Sequence, residues 1–397
     1  MWAPSFNSEM CTMTRGADSP RSLVAEALSE LGSLANQLKP DFILWSGDTG
    51  RHGATSPDDI YAETTMVTSL LRQVTNNYPW VLPVLGNNDC FDNCVGEKEN
   101  DSITRNFTQI WSSYLKHVDS GQDFFRGGYM YTKISNQLLV LSLNTMFWTQ
   151  RNCALNDQTS CGLPNSPGAV QFEWMEKVVS DPAHKHMNFI LHGHIPPLAA
   201  PLNGDKVFFT SCLEKYHSFT KTYKDRIKGH LYADKHIDSF YVMPNNIGTV
   251  LVNPAVVPLF NTGIRVFSYD RKTGDLLNYW QHYINITKAN DGAKPTLELE
   301  YSPLSPYHGS GGGGGGGGDP PGYGLKDLSQ ASWDWLDSMI VDNTTMKLLF
   351  ERYYFVSYPV ALPRGNREEA VEKLLHGQWE AHRKRQSTCH CSPWPTS

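Results

Sequence analysis

Hydrophobic positions along the chain follow two periods. Leu23, Val24, Leu28, Leu31, Leu34 and Leu38 recur at three- and four-residue spacing after Asp18-Ser19-Pro20, which predicts a capped amphipathic helix with proline in its first turn. Helical spacing returns at Phe172 to Val179, Tyr323 to Trp333 and Met346 to Tyr358. Elsewhere, short apolar runs predict strands leading to Asp48, at Trp80 to Leu85, Leu138 to Leu143, Asn188 to Leu191 and Thr249 to Val252. Ile264 to Tyr269 and Leu276 to Tyr283 flank Arg271-Lys-Thr-Gly274 and predict a hairpin. Strands and helices mixed in this order indicate a layered α/β or α+β sandwich.

Three of the apolar runs close on polar residues of related chemistry. The first ends at Gly47-Asp48, the second at Gly86-Asn87-Asn88-Asp89, and the third at His194. Loops at the carboxyl ends of a buried, mostly parallel sheet are where ligands are presented. Oxygen and imidazole donors suit a hard or borderline divalent metal that activates water, so the pattern indicates a metal-dependent hydrolase.

A chain of 397 residues, 40% hydrophobic, can bury one large domain and a smaller module. The net charge of −6 argues against a nucleic-acid-binding protein, and no binding module for nucleic acid is recognisable. An anionic substrate is therefore expected to be held locally, by metal ions and cations such as Arg51. Cys90 with Cys94, and Cys153 with Cys161, are spaced as local disulfides, with free thiols of a cytosolic enzyme as the alternative. Sequons at Asn100, Asn106, Asn285 and Asn343 weigh towards a secreted or vacuolar/lysosomal protein. The first ten residues lack a signal-peptide pattern, and no apolar run reaches the roughly 18 residues of a membrane span. Composition predicts a main domain over 1–290, a Gly/Pro-rich linker or loop over 291–324 that includes Gly311 to Gly318, and a helical module with a tail over 325–397.

Four segments taken together, Gly47-Asp48, Gly86-Asn87, Gly193-His194 and Tyr232-Ala-Asp-Lys-His236 followed by Asp238, resemble the calcineurin-like metallophosphoesterases. The resemblance is to the branch of acid sphingomyelinase-like phosphodiesterases and endopolyphosphatases. It extends to Ala17-Asp-Ser-Pro20, Leu141-Ser-Leu-Asn-Thr145, Val252-Asn-Pro-Ala-Val-Val-Pro258 and Tyr353-Tyr-Phe-Val-Ser-Tyr358. It implies a β-sandwich flanked by helices and two divalent ions (Zn, Mn, Mg or Co). Asp48 would bridge both ions, Asn87 and His194 would bind one, and His236 the other. His52 would protonate the leaving group and Asn88 would orient the phosphate. His192 competes with His194 for the ligand role, and His194 is preferred because an apolar residue and a proline follow it.

The chain departs from the family pattern in three ways. Asp234 stands where the family has an imidazole, and a carboxylate still binds a hard cation. Many phosphodiesterases have histidine at the position of Asn88, whereas endopolyphosphatases share Gly-Asn-Asn-Asp. The family's opening Asp-x-His strand is not found before Asp18, which implies an incomplete first metal site and a shortened chain that is a poor catalyst as written. The resemblance implies hydrolysis of a phosphoanhydride or phosphodiester bond, endopolyphosphatase-like, on polyphosphate, phospholipid or nucleotide. The alternatives are a sphingomyelinase-like or nucleotide phosphodiesterase, and an impaired homologue that acts as a binding protein.

Overall fold

The computed structural model describes residues 18–76, 78, 80–91, 101–197, 207–256, 260–306 and 320–359. Its strands are β1 (Ile43–Trp45), β2 (Val81–Pro83), β3 (Met130–Lys133), β4 (Leu138–Ser142), β5 (Asn188–His192), β6 (Ile227–Tyr232), β7 (Ser239–Val242), β8 (Thr249–Val252), β9 (Thr262–Tyr269), β10 (Leu276–Ile284) and β11 (Leu297–Tyr301). The largest sheet has six strands in the order β3-β4-β5-β6-β8-β7. Its four central strands run parallel, and β3 and β7 close its edges antiparallel. Buried on both faces, residues 138–141 of β4 and 189–191 of β5 are apolar throughout, as a parallel interior requires. β1 and β2 form a separate parallel pair, and β9, β10 and β11 form an antiparallel sheet. The expected hairpin is present, turned through Gly274 at a φ of 77°. This is the mixed α/β architecture expected.

The first helix, Arg21–Leu38, buries Leu23, Ala27, Leu28 and Gly32, but its start differs from expectation. Pro20 occupies the cap position and no side chain caps the helix. Asp18 and Ser19 are drawn elsewhere, Asp18 to His52 and Ser19 to the Val256 carbonyl. The expected helix over Tyr323 to Trp333 begins later, as Gln330–Asp342. The Asp327 carboxylate accepts the Ser329 amide and the Ser329 and Ser332 hydroxyls, which makes a turn where helix was expected. Trp333 then seats this helix on Phe240 of β7 and Tyr279 of β10, with ring centroids 4.8 and 6.4 Å apart. Leu297–Tyr301, inside the span expected as linker, pairs with β10 as an edge strand, and the glycine run lies outside the described residues.

The cysteine expectation needs correction. Cys161 is bonded to Cys212, not to Cys153. That bond ties the segment before helix Pro167–Ser180 to helix Thr210–Tyr223, two helices that pack together. Cys153 is also disulfide-bonded. Cys90 is a buried free thiol against the Gly86 carbonyl, and Cys94 lies outside the described residues. No described helix is long and apolar enough to cross a membrane.

Candidate active site

β1, β2, β5 and β6 deliver polar residues just beyond their carboxyl ends, so the site lies at one edge of the parallel strands. Asp48 follows β1 in a left-handed conformation, with a φ of 64° after Gly47 at 85°. Asp89 holds that turn: its carboxylate accepts the backbone amides of Asp48, Thr49, Gly50 and Gly86 at 2.8 to 3.3 Å. A Cβ on Gly86 would collide with the Asp48 backbone, so only glycine allows the two loops to meet.

The Asp48 carboxylate is the hub. Asn88 donates its backbone amide to Oδ1 at 2.6 Å and its side-chain amide to Oδ2 at 2.7 Å. His194 Nε2 lies 3.3 Å from Asp48 Oδ2 and 3.7 Å from Asp234 Oδ1. The Ser46 carbonyl, 2.6 Å from His194 Nδ1, accepts that N–H and aims Nε2 at the two carboxylates. Burial pushes the Asp48 carboxyl up, but His194 and the Asn88 amide outweigh it and hold it below the usual range. Burial lowers His194, yet Asp48, Asp234 and the Ser46 carbonyl together raise it to about 9. His192 is fully buried with Ser46 and Ser142 hydroxyls at its ring nitrogens, and burial lowers it to about 3, so it is a neutral packing residue.

Asp234 and His236 lie in the loop after β6, both left-handed, with φ of 69° and 57°. Asp234 is met by Arg151 at 2.8 Å and Lys235 at 3.3 Å. Burial raises its carboxyl, and Arg151, Lys235 and the two histidines pull it well below the usual carboxylate range. His236 faces the ring of His52, with centroids 6.3 Å apart. His52 sits 2.6 Å from Asp18, the bond that chiefly raises its pKa, and 3.4 Å from the Asn88 amide.

Asp48, Asn88, His52, His194 and Asp234 thus come together, and Asn87 is buried in the loop beside them. His236 lies beside His52. Arg51, expected to meet an anionic substrate, has its guanidinium paired with Glu63 and Asp59. Sequence reasoning missed Arg151, Lys235, Asp18 and the organising role of Asp89. Asp89 was within reach as the last residue of Gly-Asn-Asn-Asp, whereas nothing local marks Arg151.

Whether these donors fit a metal ion can be judged from the atoms they leave unbonded. Asn87 Oδ1 is buried without a hydrogen-bond partner, while His194 Nε2 and Asp234 Oδ2 are buried with only ion-pair contacts, to Asp48 and Lys235, and a cation replacing the proton of His194 would satisfy such atoms. Counting His, Cys, Asp and Glu alone, no group of three or more that could hold a metal forms among the described residues. The carboxylates are turned instead to Asn88, Arg151 and Lys235. By chemistry, the oxygen and imidazole donors of Asp48, Asn87, His194 and Asp234 suit one divalent ion.

Residues 22–252 match the family model of the calcineurin-like phosphoesterases. Residues 235–308 match that of the acid sphingomyelin phosphodiesterase C-terminal region. The chain is 26% identical over 376 residues to a cyclic GMP-AMP phosphodiesterase SMPDL3A of Bos taurus, covering 89% of this chain and 75% of the relative. It is 27% identical over 363 residues to the acid sphingomyelinase-like phosphodiesterase 3b of Homo sapiens, covering 85% and 72%. An endopolyphosphatase of Cryptococcus neoformans var. neoformans is 28% identical over 237 residues, 58% of this chain but 33% of that longer protein.

Proposed function

Since the chain belongs to the calcineurin-like phosphoesterase family, a family of phosphoric ester hydrolases for which divalent metal ions are implied, we propose that it hydrolyses phosphoanhydride bonds of polyphosphate. The observation that carries the metal assignment is the buried cluster in which His194 Nε2 meets the Asp48 and Asp234 carboxylates, with the Asn87 Oδ1 atom buried and unpartnered in the adjoining loop. These four residues are assigned to one ion, and His236 with Asp48 to a second. When bound, such ions polarise the phosphoryl group as Lewis acids.

The chain's own groups do the rest. His52, whose pKa the Asp18 hydrogen bond raises, is placed to donate to the leaving oxygen. Asn88 lies between Asp48 and His52 and orients the phosphate with an amide that cannot act as an acid. A phosphate leaving group needs less protonation than an alkoxide, which favours the anhydride reading. Arg151 and Lys235 offset the negative charge that gathers when an anionic substrate enters.

A phosphodiester reading is supported equally by the relatives, and the match over residues 235–308 favours it. Long-chain polyphosphate, a cyclic dinucleotide and sphingomyelin, each with Mn, Zn, Mg or Co, separate the readings. Internal shortening of polyphosphate, seen as a gel ladder, at rates above diester cleavage is the expected result. Faster cleavage of either diester reassigns the substrate, and no turnover with any leaves a binding protein. The Cys161–Cys212 bond supports placing the protein in a secreted or vacuolar/lysosomal compartment.

A further inference from the structure

The loop that presents Asp234 and His236 is anchored by residues far along the chain. Both residues hold left-handed conformations, which non-glycine residues keep only when their surroundings over-determine them. On its β6 side, the loop is tied by the Ala233 amide to the His194 carbonyl at 2.8 Å. On its other side the tie is Asp238. Its backbone amide donates to the Tyr354 carbonyl at 3.3 Å, and its carboxylate receives the Tyr301 hydroxyl at 2.8 Å and the Arg265 guanidinium at 2.5 Å.

Asp238 and Arg265 are both almost wholly buried, with side chains 5% and 2% exposed. Arg265 is itself fixed, with Nε donating to Gln281 at 2.8 Å and the guanidinium 4.2 Å over the Tyr279 ring. These three partners of Asp238 come from β9, β11 and helix Thr344–Tyr354, beyond the part of the chain that matches the phosphoesterase model. A buried ion pair adds little to net stability compared with apolar packing, but it fixes one geometry.

We propose that Asp238, clamped by Arg265 and Tyr301, is a positioning residue through which the carboxy-terminal sheet and helices set the placement of Asp234 and His236. This rests on the reading of those two residues as site residues. The carboxy-terminal part is then a component of the site, and perturbing the clamp loosens the donors without touching them.

The test uses the full chain with Asp238→Asn, with the milder Tyr301→Phe, and with Leu336→Ala as a control buried in helix Gln330–Asp342. Two readouts are taken: hydrogen exchange of the 233–238 amides, and kcat and KM for bis(p-nitrophenyl) phosphate with manganese. In Asp238→Asn and Tyr301→Phe, loop exchange should quicken about tenfold and kcat fall about tenfold to a hundredfold at unchanged KM, the scale for supports of metal-site residues. Leu336→Ala should lower Tm while leaving loop exchange and kcat near wild type. Should wild type hydrolyse neither this diester nor long-chain polyphosphate, the functional reading fails, and loop exchange still decides the clamp. Unchanged loop exchange in both clamp variants, or an equal rise in Leu336→Ala, overturns the proposal.

Discussion

The Asp89 carboxylate accepts four backbone amides from two different loops, so it sets the distance between Asp48 and Asn87 without facing the substrate. Removing it strands buried donors that water replaces poorly. Asp89→Ala should therefore cost about 3 kcal/mol of unfolding free energy. Denaturant titration measures this, and a loss within error of zero would mean the amides are satisfied some other way. Asp18 acts on His52 from outside the motif. Its hydrogen bond is the largest influence raising His52 above 6.5, so His52 stays protonated, and able to act as an acid, to higher pH. Asp18→Asn should shift the basic limb of the kcat profile to lower pH, and a limb that does not move would remove His52 from proton transfer.

At the scale of elements, strands of the central sheet are visible in the sequence because burial on both faces forces unbroken apolar runs, as in residues 138–141 and 189–191. Helix Pro57–Val74 is harder to read, although Ser56 caps it and Pro57 opens it, because its buried face carries Glu63, Thr64 and Thr68 among the apolar residues. Spacing misleads for the cysteines. Cys153 and Cys161 are close in sequence, yet the fold brings Cys212 to Cys161 across a separation of 51 residues. A loop of that size constrains the unfolded chain much more than a local staple would. Replacing both Cys161 and Cys212 with alanine should cost about 4 kcal/mol, read as a lowered denaturant midpoint. A midpoint unchanged by the replacement would mean that this bond contributes no net constraint.

For the molecule as a whole, the carboxy-terminal sheet stores a buried carboxyl at Glu300, 2% exposed. Burial, reinforced by Asp238, pushes this group well above its ordinary 4.5. The folded state keeps the proton where the unfolded chain has released it, so the stabilisation is complete below 4.5 and is lost as pH rises from there. Glu300→Gln should remove this dependence and gain stability relative to wild type as pH climbs from 4 to 8. Parallel stability curves would show that Glu300 does not titrate between the two states. Sequence motifs brought out Asp48, Asn88, His194 and Asp234, because each sits beside a glycine or at a strand end. Arg151 and Asp18 come from segments without such marks and meet the site only through the fold.

The central claim is that Asp48, with Asn87, His194 and Asp234, holds a divalent ion that hydrolysis requires. Metal content after manganese or zinc loading and dialysis, compared between wild type and Asp48→Asn, tests it most directly. The account predicts at least one ion per wild-type chain and a loss of most of it in Asp48→Asn. Equal metal in the two proteins, or none in wild type, would contradict it.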